Sequence, residues 1–204
     1  SATPRPLEHT PLIDWQKTLQ FEQGIELDDR IHAKLHQGFF SDEESLYIRC
    51  LGGADLKPSI SVDPNGTRHQ NQIRTSHDFQ FLPENEEMYL KLLQCRMAAA
   101  AQLPLKNAEP LILLRYMPGQ EYKPHRDYLP PSHFIAAEQG GAGQRLRTVI
   151  AYLNTPALGG ATLFPLLGKE IPALRGQLLL LDNIHASQKL NELSLHAGAP
   201  VERG

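Results

Sequence analysis

The chain is short of cysteine and tryptophan, has no long apolar run and shows no excess of either charge sign. Two cysteines, Cys50 and Cys95, occur among 204 residues, and neither belongs to a CxxC pair. A disulfide-stapled scaffold needs more, so the two read as reduced thiols of a cytoplasmic protein. A helix that crosses a bilayer needs ~18 apolar residues in a row. Apolar runs here such as Leu111–Leu114 and Leu178–Leu181 have the length of strands, and no membrane partner is expected. No apolar segment follows Ser1-Ala-Thr-Pro-Arg-Pro, so a signal peptide is not expected either. Twenty Lys and Arg stand against 23 Asp and Glu. That balance excludes a basic footprint for nucleic acid.

What is present suits a globular body. Apolar residues make up 41% and charged residues 21%, enough for one moderate domain with or without an extension. Residues 1–24, with prolines at 4, 6 and 11, read as an N-terminal extension or linker ending in a short helix around Asp14–Glu22. Residues 25–204 read as the body. A short helix is expected over 28–37. Ser41-Asp-Glu-Glu44 is a capping box, in which the Ser41 hydroxyl and the Glu44 carboxylate serve each other's backbone N–H. It opens a helix that stops near Gly52-Gly53. Val62-Asp-Pro-Asn-Gly66 carries turn chemistry. The end of Ile73–Phe81 reads as a strand. Pro83 opens a helix over Glu84–Gln102 with Met88, Leu92, Leu93, Met97 and Ala100 on one face.

After Pro110 the pattern changes. Leu111–Met117, Leu146–Asn154, Ala161–Phe164, Gln177–Asp182 and Leu193–Ala197 are short, apolar and separated by glycine turns. Helices followed by several short strands indicate an α+β domain, an antiparallel sandwich or roll with helices packed on one sheet. Residues 129–143, which include His133, form one long loop of the kind that often covers a site.

The chemistry concentrates in Tyr122-Lys-Pro-His125-Arg-Asp127. Side chains alternate along a strand, so His125 and Asp127 point the same way and can reach one ion. His196, in or near a late strand, can complete a face. Two histidines and one carboxylate with open positions opposite is the arrangement of non-haem Fe(II) oxygenases. A zinc hydrolase is disfavoured by the lack of an HExxH pattern. His-x-Asp alone is a weak signal in a chain with nine histidines, and the surrounding motifs decide the matter.

Those motifs occur in order: Arg74-Thr-Ser76; Glu109 ahead of a strand; Arg115-Tyr-Met-Pro-Gly-Gln-Glu-Tyr-Lys-Pro-His-Arg-Asp127; Gly143-Gln-Arg145; Thr148-Val-Ile-Ala-Tyr-Leu-Asn154; Gly159-Gly-Ala-Thr-Leu-Phe-Pro165; Arg175-Gly176; Asp182-Asn183; and Ser194-Leu-His-Ala-Gly198 with Pro200-Val201. Residues 74–204 thereby resemble the catalytic domain of the prolyl 4-hydroxylase family of Fe(II)/2-oxoglutarate dioxygenases. Bacterial stand-alone or repeat-fused members are the most similar. The resemblance implies a double-stranded β-helix, or jelly-roll, core supported by N-terminal helices. It implies Fe(II) held by His125, Asp127 and His196, with 2-oxoglutarate and O2 as cosubstrates and ascorbate as a reductant. Tyr116 matches the tyrosine that hydrogen-bonds the far carboxylate of 2-oxoglutarate, and Thr148 matches a residue lining that pocket. Arg74, Ser76, Glu109 and Tyr122 match positions lining a peptide groove. Tyr122, three residues before His125, is expected on the other side of its strand. Arg145 is a further candidate to face substrate, and either it or Arg126 is expected to orient Asp127. The family's next lysine, in a Gly-x-Lys-Trp run, would fall at position 206. Gly204 matches the glycine of that run, so the last strand is expected to be cut short here. The expected reaction is hydroxylation of a prolyl residue in a peptide or protein, releasing succinate and CO2. The competing readings are a non-catalytic jelly-roll module that binds peptides and an oxygenase acting on a free amino acid or small metabolite.

Overall fold

The computed structural model describes residues 15–62, 68–70, 73–129 and 143–204, with backbone alone at 15, 61, 62, 68–70 and 85. The expected turn at 62–66 and most of the 129–143 loop, with His133, lie outside the described residues. The strands flanking the first, Ile60–Val62 and Arg68–Gln70, pair antiparallel.

Two four-stranded antiparallel sheets form the body. The first runs in the order Ile25–Asp28, Ala33–His36, Leu178–Asp182, Arg147–Ala151; the second runs Lys169–Ile171, Thr162–Phe164, His196–Gly198, Tyr122–His125. This is the jelly roll expected from the resemblance. Leu178–Leu181 is an unbroken apolar run because both of its faces are covered. Leu179 and Leu181 pack with Ala33, Leu35, Phe164 and Ile171 between the two sheets. Leu178 and Leu180 face the other way, onto Phe39, Phe40, Leu93 and Met97. All four leucines are nearly inaccessible.

Two helices and a three-stranded sheet cover that outer face. The capping box at Ser41 forms as expected and opens the Asp42–Gly53 helix. The second helix, Met88–Ala101, is preceded by a separate 3-10 turn at Pro83–Asn85. Its buried positions include Leu90, Leu93, Met97 and Ala100, whereas Met88 is exposed. Arg96 lies on the same buried face. Its guanidinium donates to both carboxylate oxygens of Glu44 (3.1 and 2.6 Å) and to the Thr18 carbonyl (2.9 Å), and it lies over the Phe39 and Phe40 rings. Beside these helices, His77–Gln80 pairs with Ile112–Arg115 and with Lys57–Pro58. Among the described residues no helix is long and apolar enough to cross a membrane.

Three sequence expectations need correction. Residues 28–37 form no helix; Ile25–Asp28 and Ala33–His36 are paired strands around a 3-10 turn at Asp29–Ile31. Ala33 and Leu35 are buried toward one side with Lys34 between them, a period of two that ladder pairing with Leu178–Leu180 rewards. The last expected strand starts at His196, because Glu192–Ser194 is a 3-10 turn capped by the Asn191 side chain. The first helix is only Trp15–Thr18. Glycine is required at Gly176, where φ is +84° and a Cβ would lie 2.6 Å from the Phe40 carbonyl oxygen.

Two expectations about stability follow. Arg96→Ala leaves the buried Glu44 carboxylate without its cation, with only the Ser41 N–H and the Tyr89 hydroxyl still donating to it, and should lower the unfolding free energy by about 3–5 kcal/mol; urea denaturation measures this, and a loss near zero would refute the buried-pair account. The Arg30 hydrogen bond and charge hold the Asp28 carboxyl down at about 2, against an unperturbed 3.8. Its stabilising contribution is therefore complete above pH ~4 and lost as the pH falls toward 2. The melting temperature of Asp28→Asn should accordingly vary less with pH across that window than wild type.

Candidate metal centre

Three chain segments converge at one end of the second sheet. His196 and His125 are direct cross-strand partners, and the next paired positions are Gly198 and Tyr122. Two steps on one strand thus match three on the other, which is a β-bulge. The bulge resets the alternation of side chains. Tyr122 therefore stacks on the His125 ring, 3.4 Å between centroids with planes 13° apart. It lies on the same side as His125, contrary to the expectation from strict alternation. Asp127 sits just past the strand end.

One nitrogen of each imidazole is tied off. His125 Nδ1 lies 2.9 Å from the Lys123 carbonyl oxygen, and His196 Nδ1 lies 2.9 Å from that of Ser194. Each Nδ1 therefore carries the proton, and each Nε2 offers a lone pair. Those Nε2 atoms lie 3.4 Å from Asp127 Oδ1 and Oδ2 respectively. Candidate ligand atoms of all three residues lie within 4.8 Å of one another. Burial pushes the His196 imidazole below its ordinary value, which keeps it neutral. Burial would raise the Asp127 carboxyl, but a hydrogen bond from His125 and the charge of His196, each in its protonated form, together with the Thr148 hydroxyl hold it well below the usual carboxylate range. Two imidazoles and one carboxylate on one face fit a divalent ion of the Fe(II) class.

Asp127 is oriented by Thr148, not by Arg126 or Arg145. The Thr148 hydroxyl donates to Asp127 Oδ2 at 2.6 Å and accepts from Asn183 Nδ2 at 2.9 Å. Arg126 instead pairs with Glu192. Arg145 forms a two-point ion pair with Glu109 (2.6 and 2.9 Å) and reaches only the Asp127 backbone carbonyl, at 3.3 Å. The neighbouring Gln144 is tied to Leu129. Its amide oxygen accepts from the Leu129 N–H and its amide nitrogen donates to the Leu129 carbonyl oxygen.

The remaining candidates lie near Tyr122. Burial pushes the Tyr116 phenol, which lies near Ser76, up to about 12, so it stays protonated. Ser76 is itself buried against the Ser59 hydroxyl, 2.8 Å away. The Arg74 guanidinium lies 5.6 Å over the Tyr122 ring and pairs with Asp78 at 3.0 Å. Arg74, Tyr122, His125 and His196 thus form a continuous row. Asn183 and Gln144 fall within the Asp182-Asn183 and Gly143-Gln-Arg145 motifs, which assign them no role; their hydrogen bonds to Thr148 and Leu129 supply one.

The stacked Tyr122 ring buttresses His125. Tyr122→Ala should weaken binding of a divalent metal such as Co(II) about two- to tenfold, whereas Tyr122→Phe should keep it. An anaerobic absorbance titration compares the two, and equal affinities would refute the buttress.

Comparison with known proteins agrees with this geometry. Residues 111–204 match the model of the 2OG-Fe(II) oxygenase superfamily. Probable prolyl 4-hydroxylase 7 of Arabidopsis thaliana is 31% identical over 83% of this chain and 58% of its own length. Probable prolyl 4-hydroxylase 6 of the same plant is 32% identical over 84% of this chain and 65% of its own. The chain thus spans about three fifths of these relatives. Among solved structures, the viral collagen prolyl hydroxylase of Paramecium Bursaria Chlorella virus-1 in its 2OG complex superposes with a TM-score of 0.62, at 25% identity, covering 84% of this chain and 90% of that one. A Pseudomonas putida prolyl-4-hydroxylase shares the fold with a TM-score of 0.55 at 18% identity, covering 84% of this chain and 86% of that one. The chain belongs to the prolyl 4-hydroxylase family of Fe(II)- and 2-oxoglutarate-dependent dioxygenases.

Proposed function

We propose that this chain is the catalytic part of an enzyme that hydroxylates a prolyl residue in a peptide or protein, turning 2-oxoglutarate and O2 into succinate and CO2. The observation that carries this reading is the convergence of His125, Asp127 and His196, with both Nδ1 atoms tied to carbonyls and both Nε2 atoms turned toward one carboxylate. In this reading the three residues hold Fe(II). When bound, the iron with 2-oxoglutarate and O2 supplies the oxidant for an unactivated C–H bond.

The chain's own residues bind, orient and exclude. Tyr116, protonated and half-buried, offers its phenol to the far carboxylate of 2-oxoglutarate. Thr148 spends its hydroxyl on Asp127 and leaves its methyl to line the cosubstrate pocket. Arg74, Tyr122, Glu109 and Arg145 line the groove for the peptide, and Ser76 acts through Tyr116. Arg74 and Arg145 present guanidinium donors that suit peptide carbonyls. The catalytic body spans 25–204, with 1–24 as an extension. Ascorbate as reductant and a cytoplasmic setting, in line with free Cys50 and Cys95, belong to the same proposal. The lysine that the family places ten residues after the second histidine falls outside this sequence. A chain extended through position 206 is expected to bind 2-oxoglutarate roughly ten- to hundredfold more tightly.

The first test is an anaerobic titration with Fe(II) and 2-oxoglutarate, followed by the visible metal-to-ligand charge-transfer band. A saturable band is expected, lost in Asp127→Ala and His125→Ala while circular dichroism shows the fold retained. Succinate should then form with O2 only when a proline-containing peptide is present. No band in either the present or the extended chain would favour the non-catalytic module, and succinate formed with a free amino acid in place of the peptide would favour the small-molecule oxygenase.

A further inference from the structure

We infer that Asn183 is a positioning residue of the metal centre: it holds the Thr148 hydroxyl as a donor to Asp127 and so fixes the carboxylate in the orientation that faces both imidazoles. The inference rests on the metal-site reading above and adds a residue to which that reading assigns nothing.

Proton counting gives the direction of the chain. A carboxylate that ligates an ion has no proton to give and can only accept, so the 2.6 Å contact in which Thr148 donates to Asp127 uses the hydroxyl's single proton. The 2.9 Å contact between Thr148 and Asn183 must then be accepted by Thr148. That requires the Asn183 amide nitrogen, not its oxygen, to face Thr148. The amide oxygen is forced the other way, and there it has no hydrogen-bond partner among the described residues. Asn183 is completely buried.

A buried amide oxygen without a donor is destabilising, and such groups persist chiefly where another task holds them. A leucine, with the same branching and number of side-chain heavy atoms though somewhat larger, would occupy the position without an unpaired polar atom. Packing therefore does not account for the amide, whereas the donor to Thr148 does. The backbone supports the assignment. Asn183 directly follows the Leu178–Asp182 strand, its N–H donates to the Leu146 carbonyl at 2.8 Å, and its own carbonyl accepts from Asn191 at 2.9 Å. Thr148 stands on the adjacent strand, opposite Leu181. Two neighbouring strands of one sheet thus hold donor and relay at a fixed spacing, and Asp127 arrives from the other sheet.

The test is metal affinity read apart from activity. Wild type, Asn183→Leu, Thr148→Val, Thr148→Ser and the Asn183→Leu/Thr148→Val double variant are titrated anaerobically with Co(II) through its visible absorption, and the metal-free melting temperature of each is recorded. Asn183→Leu is expected to lower Co(II) affinity ten- to hundredfold while the metal-free protein melts at the wild-type temperature or above it. Thr148→Val should lose as much, Thr148→Ser should keep most of the affinity, and the double variant should be no worse than Thr148→Val alone. Asn183→Ala, which leaves a small cavity instead, gives the same comparison if the leucine variant does not fold. Undiminished Co(II) binding in the Asn183 variants, or additive losses in the double variant, would overturn the inference alone. Failure of wild type to bind Co(II) would overturn the metal-site reading and the inference with it.

Discussion

The structure depends on one strand that is covered on both faces. Leu178–Asp182 pairs with Ala33–His36 on one side and Arg147–Ala151 on the other. Its even positions lie under the helices and its odd positions lie between the two sheets. Covering both faces removes the choice of register, since any one-residue slip exchanges two leucines buried under helices for two buried between sheets and shifts the polar ends inward. The strand's last residue and the one after it then have fixed directions. Asp182 faces outward to Arg147, which also caps the Met88–Ala101 helix through the Ala101 carbonyl, both at 2.5 Å. Asn183 turns to Thr148. The strand thus ties the helical layer to the metal centre through two adjacent side chains.

The metal centre is built across the two sheets. Its histidines are cross-strand partners in the second sheet, while the hydroxyl that orients Asp127 comes from the first. Each sheet alone would leave the carboxylate free to rotate. The bulge opposite His196 adds the Tyr122 ring to the same side as the ligands, so candidate substrate and metal positions share one surface. Around the rim the charged residues are already paired: Arg145 with Glu109, Arg126 with Glu192, Arg74 with Asp78.

Much of this could be read from the sequence where the signal is local. The capping box at Ser41 joins groups three residues apart, and glycine turns bound the late strands. The His125-x-Asp127 pair and His196 carry their chemistry in residue type and spacing. Misreadings arose where local pattern and pairing disagreed. Residues 28–37 have a helix-compatible composition, but the vacant edge of Leu178–Asp182 takes them as a strand. The Tyr122 side chain was expected on the wrong side, because a bulge between two strands leaves no mark in either one alone.

Residue identity by itself determined which groups can ligate an ion, where chain direction must turn, and which runs must be buried. Tertiary structure decided who orients whom. Thr148 meets Asp127 across 21 residues, Asn183 meets Thr148 across 35, and Arg96 meets Glu44 across 52. The reason is physical. A cap or a turn is satisfied by backbone geometry within a few residues, whereas a buried donor takes whichever acceptor the packed sheets bring within about 3 Å, and that neighbour is set by register and bulge, not by proximity along the chain.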